Sequence, residues 1–174
     1  MGKTLIVLAP RPLDANDVVE GFDCGKPSLT DWLLRYARQA QTTGSARTFI
    51  VVDKAAAGRR VIGYYSLTVG QVDALRVPER IRKGMGQYPI PVILLARLAV
   101  DVRHHRQGIG TGMLRDAIGR ALTISEQAGI RALMTHPIDE GAARFYLEFG
   151  FSKSPAGHEM LLLLLKDARQ LLRR

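Results

Sequence analysis

An α/β domain built on one mixed sheet is the architecture this sequence predicts, and three observations predict it. Apolar runs of strand length alternate with segments that repeat at helical spacing. The run Val92–Val100 is nearly unbroken, as expected of a central strand covered on both faces. That run leads through a glycine-rich turn into the longest helical stripe of the chain. The 174 residues, 47% apolar and 24% charged, supply a core, and a chain of this size buries roughly 70% of its unfolded surface. Disordered, collagen-like and disulfide-stapled classes are excluded.

Taken in order, Leu5–Ala9 is a short apolar run ending at Pro10, hence a first strand. Ser28-Leu29-Thr30-Asp31 opens a helix with a capping-box-like spacing. Leu29, Trp32, Leu33, Tyr36, Ala37 and Ala40 carry it, and Gly44 closes it. Residues 47–53 and 61–72 read as a hairpin turning at Ala55-Ala56-Ala57-Gly58. Residues 76–91 connect to the central strand. A helix follows over 108–128, with Met113, Leu114, Ala117, Ile118, Ala121 and Leu122 on its stripe. Then come a strand over 130–136, a short helix from Asp139-Glu140 stopped by Gly150, strands over 151–153 and 159–165, and a basic helical tail over 166–174. The order is β-α-β-β-β-α-β-α-β-β. No repeat or linker interrupts it, so residues 1–174 are expected to form a single domain.

A lone cysteine, Cys24, forms no internal disulfide, and the reading is a small buried hydrophobe. No apolar run reaches ~18 residues, so no membrane association is expected and the cytoplasm is the expected compartment. Net charge is +9, and nineteen of the twenty-five basic residues are arginine. The excess is spread over both halves, which suits a polyanionic partner or a phosphorylated cofactor as well as a simply solvated surface.

The chemistry concentrates in Leu95-Ala96-Arg97-Leu98-Ala99-Val100-Asp101 and the turn Arg106-Gln107-Gly108-Ile109-Gly110-Thr111-Gly112 that opens the long helix. Glycines let backbone N–H groups approach a ligand, and a helix N-terminus adds unpaired donors with the positive end of its dipole. The pattern reads as an anion site, and its other reading is a helix start that uses glycines for tight packing. A Walker loop is excluded because Met113 and Leu114 stand where Lys and Ser/Thr are needed. A dinucleotide fingerprint is excluded because Met113 replaces the third glycine and Glu126 comes too early.

These residues resemble a family. Gln107-x-x-Gly110-x-Gly112 is similar to the pyrophosphate loop of the GNAT acyltransferase superfamily. Ala143-Arg144-Phe145-Tyr146-Leu147-Glu148-Phe149-Gly150-Phe151 resembles its A-x-x-F-Y-x-x-x-G-F segment. Phe22-Asp23-Cys24-Gly25, the Leu95–Asp101 strand and Ser154-Pro155…Met160 further resemble the GNAT toxins of bacterial toxin–antitoxin pairs. His136-Pro137 departs from the pattern, since a small residue more often follows that histidine and Pro137 donates no hydrogen bond.

The resemblance implies the GNAT fold and an acetyl-CoA-dependent N-acetyltransferase that acetylates the α-amine of aminoacyl-tRNA and so arrests translation. Acetyl-CoA would dock on Arg106, Gln107, Gly108, Ile109, Gly110, Thr111 and Gly112, with its pantetheine arm along Leu98, Ala99 and Val100. Strand N–H groups there would face the thioester oxygen, where one well-aimed donor is worth ~3 kcal/mol. Tyr146 is the candidate general acid, because a phenol near pKa ~10 matches the basicity of a leaving thiolate. Its other reading is a core tyrosine beside Phe145 and Phe149.

A strong general base is not evident. An aminoacyl ester's amine titrates below the ~7.7–8.0 of a peptide terminus, so water suffices for it, whereas a lysine near ~10.4 needs a base. Asp101 and Glu148 are candidates for such a base, and both also read as ordinary residues, a strand-end acid and an exposed helix acid. Arg97, a charge in an apolar strand, either meets solvent or serves the site. Arg76, Arg80, Arg82 and Lys83 form a basic cluster suited to an RNA backbone or to solvent. His104 and His105 lack ligand partners at zinc spacing, so no metal is expected. Two other activities stay open: acetylation of a protein N-terminus or small amine, and a non-catalytic domain binding CoA or RNA. The toxin resemblance also implies a cognate antitoxin, commonly a ribbon-helix-helix DNA-binding protein, and is compatible with a homodimer.

Overall fold

The computed structural model describes residues 5, 7–54 and 58–174, the His158 side chain excepted. Its strands are β1 (Arg11–Pro12), β2 (Arg47–Val52), β3 (Val61–Val72), β4 (Ile90–Val100), β5 (Ala132–Thr135), β6 (Ser152–Ser154) and β7 (Gly157–Leu164). Its helices are α1 (Pro27–Arg35), α2 (Ala37–Thr43), α3 (Glu79–Arg82), α4 (Ile109–Ser125), α5 (Glu140–Phe149) and α6 (Leu165–Leu171). The sheet runs β1-β2-β3-β4-β5-β7-β6. The β4–β5 pair is parallel, and the β1–β2, β2–β3, β5–β7 and β6–β7 pairs are antiparallel. The mixed sheet and strand order agree with the α/β expectation.

The chain divides into two compact units, residues 1–67 with 97–116 and residues 68–96 with 117–174. In the first, Leu13, Phe22, Leu33, Ile50, Tyr64 and Ala99 form the core. In the second, Val72, Ile81, Ile90, Val92, Met134 and Leu162 do so.

Several local expectations are corrected. The strand expected at 5–9 is not one over residues 5 and 7–9, where only Val7 bridges Asp53, and residue 6 lies outside the described residues. The first strand is instead Arg11–Pro12, paired with Phe49 and Ile50. Ser28 does not cap the first helix. Lys26 is the N-cap, with no side-chain bond, and Pro27 occupies the first turn, where a missing N–H costs nothing. Tyr36 divides that segment into α1 and α2, and Gly44 ends α2 at φ 76° as expected. Residues 76–91 contain α3 as well as connecting chain. The turn residues Ala55, Ala56 and Ala57 lie outside the described residues. The basic tail is a docked helix: Leu165 and Ala168 are buried and Asp167 pairs with Arg80.

Candidate functional site

In the first unit, the end of β4 is fastened before it reaches the loop. Asp101 is fully buried and donates its N–H to the Ile62 carbonyl at 2.9 Å. Its carboxylate accepts from the Asp23 and Arg103 amides and from the Arg103 guanidinium, through Nε and Nη2 at 2.8 Å each. Although burial opposes ionisation, these donors hold its pKa down to about 2. Asp101 is therefore a structural carboxylate, and a proton acceptor for an amine it is not. Arg103, placed beside the anion site by its sequence position, spends its charge on Asp101 and the Gly21 carbonyl.

Beyond that anchor the backbone turns through the left-handed region twice. Arg106 has φ 61°, the only positive value at a non-glycine among the described residues, and Gly108 has φ 79°. Successive amides in such a turn converge into a concave anion nest. Gly108 hands the chain to α4, its carbonyl accepting from Gly112 N at 3.0 Å. The first three N–H groups of α4, ahead of that bond, have no acceptor four residues back, and they carry the positive end of a seventeen-residue helix. Gln107, Gly108, Thr111 and Gly112 are exposed, while Ile109 is buried. A Cβ added at Gly108 or Gly112 would meet nothing within 4 Å. At Gly112, whose φ is not positive, the fold itself therefore does not require glycine. The open space suits a ligand lying against the backbone. A hollow of about 280 Å³ adjoins the loop, walled in part by Gln107, Gly108 and Gly112.

The helix start is set by a residue the sequence reading passed over. A Cβ at Gly63 would lie 3.1 Å from Met113 Sδ and 3.4 Å from Ile109 Cγ2, so its absence lets the first turns of α4 seat on β3. The signal was present, since glycine inside a strand marks a close approach. On β4, Ala99 packs its side chain into the core, and Leu98 and Val100 are half-buried. The Arg97 guanidinium sits 4.3 Å over the Trp32 ring, which stacks on Tyr64. Arg97 is half-buried, burial lowers its pKa, and no ion pair to it is seen among the described residues. Cys24 is buried, with Sγ near Lys26 O and Thr30 Oγ1, as a small core residue.

In the second unit, α5 begins where Asp139 caps Ala142 N at 2.8 Å and stops at Gly150. Tyr146 is buried on it, with Phe145 and Phe151 rings at 5.2 and 5.3 Å. Burial pushes its phenol up to about 12. Thr135 closes the β4–β5 ladder opposite Leu95, and β4 runs on to Val100 past the end of β5. Glu148 is exposed on the same helix. In the basic cluster, Asp167 answers Arg80, whereas Arg76 and Lys83 are exposed and Arg82 is half-buried. Arg131 braces the same segment through the Ile81 carbonyl at 2.9 Å. No group of three His, Cys, Asp or Glu side chains that could hold a metal occurs among the described residues. None of their helices is long and apolar enough to cross a membrane.

Comparison with known proteins follows the same chemistry. A family model described as an acetyltransferase (GNAT) domain matches residues 44–153. A tRNA-acetylating toxin of Mycobacterium tuberculosis is 40% identical over 164 residues, 94% of this chain and 96% of that protein. A crystal structure of AtaTR bound with AcCoA shares 26% identity at a TM-score of 0.78, over 95% and 97% of the two chains. The structure of AtaT complexed with acetyl-methionyl-tRNAfMet shares 25% identity at a TM-score of 0.86, over 97% and 99%.

Proposed function

The chain belongs to the GNAT acetyltransferase family, and we propose that it transfers acetyl from acetyl-CoA to the α-amine of aminoacyl-tRNA, blocking translation as a toxin. The observation that carries the reading is the exposed amide turn at residues 106–112, whose Gly112 leaves a space the fold does not use. Support for the acceptor comes from the tRNA-acetylating relative and from the AtaT structure with acetylated tRNA.

In this reading Arg106, Gln107, Gly108, Ile109, Gly110, Thr111 and Gly112 hold the coenzyme's diphosphate, mostly through main-chain N–H groups. The Leu98–Val100 backbone aligns the thioester and stabilises negative charge on its oxygen. An amine of depressed pKa attacks in its neutral form and loses its proton to water, which fits a site whose buried acid, Asp101, is already committed to Arg103. Tyr146 gives its phenolic proton to the departing sulfur. A phenol held at about 12 stays protonated throughout the physiological range, as a general acid must. Arg97, with Arg76, Arg80, Arg82 and Lys83, contacts the tRNA backbone. Residues 1–174 are proposed to act as a single domain, a reading supported by β3 and β4, each of which has residues assigned to both units.

A translation toxin needs an inhibitor and a source of charged tRNA. The proposed setting is the cytoplasm, with a cognate ribbon-helix-helix antitoxin whose acidic segment suits the +9 charge, and with self-association as a homodimer. The test is incubation with labelled acetyl-CoA and charged tRNA, followed by alkaline release of the amino acid. Label recovered as N-acetyl-amino acid is expected. Label that appears only on protein N-termini or small amines, or nowhere, contradicts the proposal.

A further inference from the structure

One charge stands in the central strand without a carboxylate to answer it. Arg97 lies on β4 among Leu95, Ala96, Leu98 and Ala99, and it is half-buried. Side chains alternate along a strand, so Arg97 shares a face with Ala99, which belongs with Tyr64 to the first unit's core. Taking a guanidinium partly out of water is costly, and an aliphatic residue at this place would avoid the cost. The chain instead provides an aromatic support. The guanidinium carbon sits 4.3 Å from the centre of the Trp32 ring. Trp32 in turn stacks on Tyr64 at 5.9 Å, with 14° between the ring planes. Tyr64 is fully buried, donates its hydroxyl to the Leu29 carbonyl at 2.6 Å, and meets the Phe22 ring edge-on at 5.7 Å. The stack is fixed at its Tyr64 end and carries the guanidinium at the other.

Stacking occupies one face of the guanidinium and none of its five N–H donors. Among the described residues these donors meet no protein acceptor, and their nitrogens reach solvent. Such a group is prepared for an anion that binds along its edge, as phosphate does. Phosphate also suits the acceptor. An aminoacyl ester has no free α-carboxylate, so the anions nearest its amine are the phosphodiesters of the terminal nucleotides. We propose that Arg97 binds a phosphodiester at the acceptor's 3′ end, and that Trp32 is the positioning residue that holds its guanidinium for that contact. The inference rests on aminoacyl-tRNA being the acceptor, and it narrows the contact of Arg97 to the last nucleotides.

Two short acceptors test this, an aminoacyl CCA trinucleotide and an aminoacyl adenosine that lacks every phosphate. The quantity read is the preference, the kcat/KM for the first divided by that for the second. Arg97→Gln should lower the preference about tenfold, the loss typical of one hydrogen bond to a charged group. Trp32→Leu should lower it several-fold, in keeping with the strength of a cation–π contact. In the R97Q background W32L should lower it no further, because Trp32 acts through Arg97. General damage to the fold would slow both acceptors and leave their ratio alone.

A second measurement needs no variant. Trp32 is the chain's only tryptophan, so an unacylated CCA trinucleotide should change the emission of the wild type in a saturable way, and adenosine should not. An unchanged preference in R97Q, a full further loss from W32L in that background, or emission indifferent to the trinucleotide would each overturn the proposal. Failure of the wild type to acetylate aminoacyl-tRNA would instead overturn the assignment of the acceptor, which keeps the two failures apart.

Discussion

Asp101 shows how one side chain can be mistaken for chemistry. By position, an acid closing the central strand beside the anion loop is a candidate base. By environment, it is fully buried, its carboxylate receives four hydrogen bonds from Asp23 and Arg103 groups, and it is held at about 2. Because its folded pKa lies below the unfolded value of ~3.9, the stabilisation is complete above that value and is lost as pH falls towards about 2. Asp101→Asn is therefore expected to cost about 2 kcal/mol at neutral pH. Thermal melts of both proteins should converge as the buffer is taken down through this window. A gap that stays constant with pH would show that the charge is not what fastens the strand.

Residues of this kind mark the limit of sequence reading. Tyr146 and Gly112 were legible because their types recur at fixed spacing within an element. Thr135 and Arg97 were not: their surroundings come from what faces them, the Leu95 carbonyl in one case and the Trp32 ring in the other.

Among elements, α4 carries the donors and β3 fixes where they stand. Gly63 has Met113 Sδ at 3.1 Å and Cε at 3.2 Å from the place a Cβ would take. Gly63→Val adds a branched side chain into that contact, so the first turn of α4 must lift or Met113 must repack. Overpacking of this sort costs about 1–3 kcal/mol. The expected signature is a lower Tm together with a raised KM for acetyl-CoA and little change in kcat. An unaltered KM would mean that the loop is positioned independently of β3.

The long elements were readable because their periodicity is strong: β3 spans the predicted 61–72 unchanged, and α5 keeps its Asp139 and Gly150 boundaries. Ends failed where local chemistry had a rival solution. Pro27 displaced the Ser28 cap by filling the first turn. The first strand is Arg11–Pro12, paired with Phe49 and Ile50, and not residues 5 and 7–9 of the more apolar run before it, since edge pairing is decided by the partner strand and not by hydrophobicity alone.

For the whole molecule, the +9 charge acts through its field. A polyanionic acceptor should bind more weakly as salt rises, because each neutralised phosphate releases counterions. The KM for aminoacyl-tRNA should therefore climb several-fold between low and physiological ionic strength, while the KM for a small uncharged amine acceptor stays flat. Equal salt dependence for both would place the charge outside acceptor recognition.

The account as a whole rests on a division of labour: the amide turn binds and the phenol reacts. Parallel calorimetric titration of acetyl-CoA and single-turnover acetyl transfer, in Gly112→Ala and Tyr146→Phe, tests that division directly. The account predicts that G112A weakens coenzyme binding about tenfold yet reacts normally once saturated, whereas Y146F binds normally and loses most of the rate. Undiminished binding in G112A, or undiminished transfer in Y146F, would contradict it.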